Sequence, residues 1–152
     1  MSLSIKQKII ARVFALCEPL KTTVTPPFRA IERTRSLFLL AAVKPALHVV
    51  IGDENKIEED VFGYTMEFPI AFKVIVEDAR SVEDVSDAAV AFLQTKIEGD
   101  PQLNGGSGAL ANSVKYDGEL PFTEEVTKPA GGAVVMYVVQ YRRKIAQPEQ
   151  NY

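Results

Sequence analysis

Tyr64, Met66, Phe68, Ile70, Phe72, Val74 and Val76 recur at every second position, the period that sets side chains on one face of a strand. Thr65, Glu67, Lys73 and Glu77 fall on the opposite face, which reads as wet. The 14 residues from Tyr64 to Glu77 would extend about 46 Å at about 3.3 Å per residue. Ordinary strands run to about 5–6 residues, and a domain of this length has a radius of gyration near ~15 Å. An unbroken strand would therefore reach past its own core and need something to cover it, for which a neighbouring subunit is the obvious candidate. Pro69 inside the run argues for an edge position or a bulge.

The remaining segments arrange themselves around this strand. Ile5, Ile9, Val13, Leu16 and Leu20 follow helical spacing, so residues 4–21 are expected as a helix, ended by Thr22 to Pro27. Residues 28–36 read as a strand or an irregular arm, and 37–43 as a buried turn or short helix. A strand over 45–51 stops at Gly52. Residues 53–60 carry five acids against Lys56 and sit between two strands, so a hairpin with a charged tip is expected there. Ser81 as cap, with Glu83 and Asp84 in the first turn, predicts a helix over 82–98, closed by Gly99 and Pro101. A loop over 102–108, a weak strand over 109–116 and an excursion over 118–132 follow. Residues 133–139 are apolar on both faces, as in a central strand, and run into Tyr141, Arg142, Arg143 and Lys144. The expected fold is α+β: one domain over 1–146 with a mixed, mainly antiparallel sheet, two main helices packed on it and a long protruding hairpin. Residues 147–152 are expected to form a mobile tail.

Composition narrows the function classes. At 152 residues one domain is the natural expectation. No apolar run reaches the ~18–20 residues of a membrane span, and Lys6, Lys8 and Arg12 interrupt what would be a signal-peptide core. A single cysteine excludes an internal disulfide framework and fits a reducing cytoplasm. Charge is uneven: residues 1–44 carry net +6 and the remainder −9, so the two parts can attract within one fold or between copies. No basic run is interleaved with aromatics, which gives nucleic-acid recognition little support.

Catalytic and metal chemistry find few carriers. His48 is the only histidine and alternates with apolar residues in a strand, where a structural role is the simpler reading. Cys17 lies on the apolar stripe of the first helix, as a small buried thiol would, rather than as a nucleophile paired with His48. The acids cluster where solvation or helix capping explains them, and the glycine-rich stretch 104–108 carries no phosphate-binding fingerprint. No catalytic, metal or cofactor site is expected. The candidate residues are instead interfacial: Asp53, Glu54, Glu58, Glu59 and Asp60 on the acidic tip, and Arg142, Arg143 and Lys144 at a strand end. The tip is a plausible partner for the basic cluster of an adjacent copy.

Taken in order, several of these segments resemble the tail terminator proteins of tailed bacteriophages, a family of small ring-forming tail-completion proteins. The resemblance runs over most of the chain. It is carried by the amphipathic first helix, the stretch Arg29 to Arg33, and the strand entered through Pro45-Ala46 and left through Gly52-Asp53-Glu54. It continues through Phe68-Pro69 in the long strand, the Asp100 to Gly105 turn, and the closing run Tyr137 to Arg142. The chain departs from the family pattern in its long 28–43 segment and its acidic 53–60 tip. The resemblance implies a non-enzymatic structural protein of the virion neck, synthesised and assembled in the host cytoplasm. It implies a homo-oligomeric ring, commonly a hexamer, that caps the head-proximal end of the tail tube and stops its polymerisation. Its partners would be further copies of itself, the tail tube protein and the head–tail connector or stopper. It would have no membrane partner and no direct nucleic-acid recognition, even where DNA passes through the ring. The alternatives are another neck protein, such as a head–tail stopper or tube initiator, and a host-type dimeric α+β enzyme or ligand-binding domain.

Overall fold

The computed structural model describes residues 3–37, 41, 43–77, 82–104, 108–124 and 130–151, with 123, 124 and 130 as backbone only. The first helix, α1 (Ile5–Cys17), is fixed at its start by Ser4: its hydroxyl accepts the Gln7 N–H at 3.1 Å, and Gln7 Oε1 accepts the Ser4 N–H at 2.8 Å. This reciprocal box satisfies donors that a helix start otherwise leaves unpaired. Helical structure was expected through residue 21, but the α-helix ends at Cys17. Pro19 has no N–H to continue the ladder, and Glu18–Lys21 tightens into a 3-10 turn that still buries Leu20.

Six strands follow: β1 (Ala30–Thr34), β2 (Ala46–Ile51), β3 (Asn55–Glu59), β4 (Gly63–Glu77), β5 (Ser113–Glu124) and β6 (Ala130–Lys144), with α2 (Val82–Glu98) between β4 and β5. They form one sheet in the order β1-β2-β4-β6-β5, with β3 also paired to β4. Only β1 and β2 run parallel to each other. The architecture is the expected α+β type, and α2 occupies the predicted span. Parts of other expectations lie outside the described residues: positions 38–40 and 42 of the 37–43 stretch, the Ser81 cap, and 105–107 of the glycine-rich loop.

The long strand is real, but its own chain covers both of its edges. β6 pairs with it without interruption from Gly63 opposite Lys144 to Glu77 opposite Ala130. Along the other edge β2 covers Ile70–Ile75 and β3 covers Tyr64–Glu67. Pro69 therefore stands in an interior strand, neither at an edge nor in a bulge. It is tolerated because it falls where β2 has ended and β3 has not begun. There the Gly52 N–H donates to the Pro69 carbonyl at 2.8 Å, and the reciprocal bond is the one a proline cannot make. A Cβ on residue 52 would lie 2.4 Å from Pro69 Cγ, so the strand stop and the proline are matched.

The expected weak strand over 109–116 and excursion over 118–132 are corrected, outside positions 125–129, which lie beyond the described residues, to a long β5–β6 ladder. β5 runs through Glu124 with a bulge between Tyr116 and Gly118. Pro121 and the Gly131–Gly132 pair read as breaks in sequence. Yet β5 is an edge strand, where proline is admissible. At Gly132 the backbone has φ +152° and a Cβ would lie 1.9 Å from the Val74 carbonyl oxygen, so only glycine fits this crossing.

Both helices pack on one face of the sheet. There Leu47, Val49, Phe68, Phe72, Val74, Val135, Tyr137 and Val139 join Ile9, Val13, Leu93 and Ile97 in a continuous core. Each fully buried aliphatic or aromatic side chain contributes about 1.5–3 kcal/mol, which makes this face the main source of stability. No described helix lies on the other face. Expected to be wet, it is not: Thr65 and Lys73 are buried, as are His48 and Ile75. Lys73 Nζ donates to the Leu37 carbonyl at 2.8 Å and sits 4.8 Å from the centroid of the Phe122 ring. Beyond them the face has an apolar patch, with Pro69 and Leu120 exposed and Ala71, Val134, Met136 and Val138 half-buried, bounded by half-buried Glu67, whose Oε2 accepts from Gln140 Nε2 at 3.0 Å.

The 147–152 stretch, expected as a mobile tail, carries contacts along its described part. The Pro148 carbonyl accepts the Ile5 N–H at 2.8 Å, the Glu149 carbonyl accepts from Lys8 Nζ at 3.4 Å, and Asn151 Nδ2 donates to the Ala109 carbonyl at 3.0 Å.

Candidate assembly surfaces

The acidic segment is an arm rather than a loose tip. Asp53 and Glu54 lie in the β2–β3 connection, Glu58 and Glu59 on β3, and Asp60 begins the turn. Asp60 Oδ1 accepts from the Phe62 N–H at 2.7 Å and the Gly63 N–H at 3.1 Å, a side-chain-stabilised turn of the Asx type. The tip of the hairpin is therefore Val61–Phe62, 86% and 70% exposed, with the acids along its flank. Sequence reading placed the tip over 53–60, because the acids masked a strand over Asn55–Glu59. The signal that would have found it is the apolar pair between Asp60 and Gly63.

The arm is anchored. The Tyr141 hydroxyl donates to Glu54 Oε2 from a side chain that is nearly fully buried. Burial first, and Glu54 second, push the Tyr141 pKa above the ordinary tyrosine range. Farther out, Lys56 Nζ pairs with Glu59 Oε2 at 2.7 Å. An exposed pair of this kind orders the arm more than it stabilises it.

The basic cluster lies at the same end of the molecule. In register, Glu59 faces Tyr64 and Tyr64 faces Arg143, while Glu58 faces Thr65 and Thr65 faces Arg142. One strand thus separates the acids from the arginines, about 10 Å at the usual strand spacing. The Arg143 guanidinium stands 4.7 Å from the Tyr64 ring centroid and Lys56 Nζ stands 5.5 Å from it, two cations on one electron-rich ring. Lys144 Nζ donates to Gln150 Oε1 at 3.0 Å. The two charged groups expected to meet across copies are brought together within one subunit.

This end is also apolar. Ile57, Val61, Phe62 and Ile145 account for four of the eight large hydrophobic side chains exposed on the described residues. Exposed apolar groups scattered singly need no explanation, but a cluster at one end of a sheet does. A second open surface, among the described residues, is the apolar patch around Pro69, Met136, Val138 and Leu120 on the sheet face away from the two helices, which alternation in β4 and β6 could not reveal. No family model matches the chain, and no curated protein is significantly similar to it.

Other chemistry is sparsely provided for. Cys17 packs in the core on the helix side, whereas His48 points to the opposite side of the sheet, so the two cannot form a nucleophile–base pair. Burial, with Glu18 adding to it, pushes the Cys17 thiol up to about 12, which keeps it protonated at neutral pH. Among the described residues no three His, Cys, Asp or Glu side chains are grouped to hold a metal ion. Among the described residues, hollows open between the start of α1, residues 108–110 and 149–151, with about 770 Å³, and beside Arg29, Lys44 and Glu77, with about 320 Å³. Lys44 and Glu77 approach to 3.9 Å in the second. Among the described residues no helix is long and apolar enough to cross a membrane.

Proposed function

We propose that this chain is the subunit of a phage tail terminator ring, which caps the head-proximal end of the tail tube, stops its polymerisation and joins it to the head connector. The observation that carries this is the presence, among the described residues, of two unlike open apolar surfaces on one subunit, the Val61–Phe62 tip and the patch on the sheet face away from the two helices. Unlike patches that complement each other associate head to tail, and such contacts generate rings when the rotation closes. The order of segments that resembles tail terminators supports the same reading, as does a core rich in packing contacts and poor in reactive groups. On this reading the protein acts in the virion neck by shape and charge, without catalysis and without a cofactor.

The test combines mass, shape and loss of function. Light scattering of the purified protein should give a closed multiple of the 16.7 kDa chain, and negative-stain images should show annular particles at one end of capped tubes. Phage lacking the gene should produce tails of uncontrolled length. Tails of normal length that fail to join heads would assign the protein to another neck position. A compact monomer that turns over a metabolite would overturn the structural role altogether.

A further inference from the structure

We propose that the Val61–Phe62 turn of one copy seats on the open sheet face of the next, over Val138, Met136 and Leu120. The proposal rests on the ring reading above and names its contact. The two surfaces fit in kind. The turn is a narrow apolar point, held rigid by the Asp60 carboxylate that accepts both the Phe62 and Gly63 N–H groups. The receiving face is low and smooth: Pro69 faces Val138, Ala71 faces Met136, and Gly118 of β5 faces Met136 from the other side. Met136 is unbranched and adapts to an incoming ring. Leu120, 59% exposed, closes the outer side.

Charge selects a second copy of this chain as the occupant. The arm that carries the tip bears exposed Glu58, beside a Glu59 that is paired with Lys56. On its β5 side the patch is bordered by exposed Lys115, which stands opposite Val138 in the β5–β6 register, while the one acid beside it on β4, Glu67, is already engaged by Gln140. Apolar point meets apolar face, and Glu58 meets Lys115. A subunit cannot make this contact with itself. The tip adjoins Gly63, whereas Val138 faces Pro69, six residues along β4, about 20 Å away at about 3.3 Å per residue. The contact is between two different patches, so it adds subunits in one direction.

Cysteine pairing tests it directly, because the one native cysteine, Cys17, is buried. In the full chain carrying both Phe62→Cys and Val138→Cys, mild oxidation should give a reducible ladder at multiples of 16.7 kDa. The internal separation far exceeds the ~7 Å Cα limit for a disulfide, so any bond joins copies. Each single variant should stop at dimers or remain unlinked. A double variant that forms no ladder overturns the contact, and so does wild-type protein that is monomeric at micromolar concentration. As a second measurement, Val61→Ser with Phe62→Ser should shift the mass to that of one chain while circular dichroism stays unchanged. Lys115→Glu should weaken assembly at least tenfold, and Glu58→Lys added to it should restore part of the loss. A ring that persists in the Val61/Phe62 variant overturns this contact and leaves the terminator reading standing. A ladder from a protein that does not cap tails keeps the contact and removes the terminator reading.

Discussion

The two faces of the sheet differ in what closes them. The helix side is sealed by residues that lie close in sequence to their own periodic signals: α1 and α2 each bring a stripe onto β2, β4 and β6. The other side is sealed only in part. His48, Lys73 and Ile75 are buried there, and the groups seen over Lys73 are the Leu37 carbonyl and the Phe122 ring. A few residues farther along the same strands the face lies open. The lesson is that alternation tells which side chains share a face, and not which face the rest of the chain will reach.

The strongest way to break that contrast is a pair of truncations. Phe72→Ala, on the sealed side, should lower the unfolding free energy by about 3–5 kcal/mol in urea titrations. Val138→Ala, on the open side, should change monomer stability by less than about 1 kcal/mol and act on assembly instead. Equal effects on the monomer would mean that the second face is as well packed as the first.

Alkaline titration probes the sealed side next. The folded pKa of Cys17 is raised from 9.0 to about 12, so its contribution is fully present below pH 9 and is lost as pH rises from 9 toward 12. Over that window the unfolded chain ionises its thiol while the folded chain does not. The loss should approach about 4 kcal/mol at about 1.4 kcal/mol per pH unit. Tyr137 and Tyr141, also raised, act in the same direction. Thiol reagents at neutral pH should label Cys17 only as fast as the protein unfolds.

The two buried tyrosines sharpen the comparison further. Tyr141→Phe removes the donor that holds Glu54 and should cost about 1.5–3 kcal/mol, the worth of a hydrogen bond to a charged acceptor. It should also loosen the arm, which backbone hydrogen exchange across Asn55–Glu59 would show. The Tyr137 hydroxyl is buried without a partner that meets hydrogen-bond geometry, although burial first and nearby Glu98 second raise its pKa. Tyr137→Phe should therefore be neutral or slightly stabilising in the same urea titration.

Much of the frame was legible in the chain itself. β4 and α2 could be placed nearly to the residue because each repeats its apolar signal over several turns or pleats. β5 could not. Pro121, Gly118 and Gly131–Gly132 mimic breaks, and only the edge position of β5 and the tight crossing at Gly132 show why they belong to strands. Of the candidate residues, Asp53 and Glu54 lie nearer the middle of β4, in the β2–β3 connection, whereas Glu58, Glu59, Asp60, Arg142, Arg143 and Lys144 lie at its hairpin end. The apolar tip beside them was hidden by the acids around it.

Periodicity and capping in the sequence determined the fold class, the length of the central strand and the span of the second helix, since those signals act between residues a few positions apart. Tertiary structure alone decided that Pro69 could sit inside a sheet, that acids and arginines would flank the same strand, and that part of one face would stay open among the described residues. Each of those depends on where a distant segment ends, and burial is a property of what arrives from elsewhere in the chain.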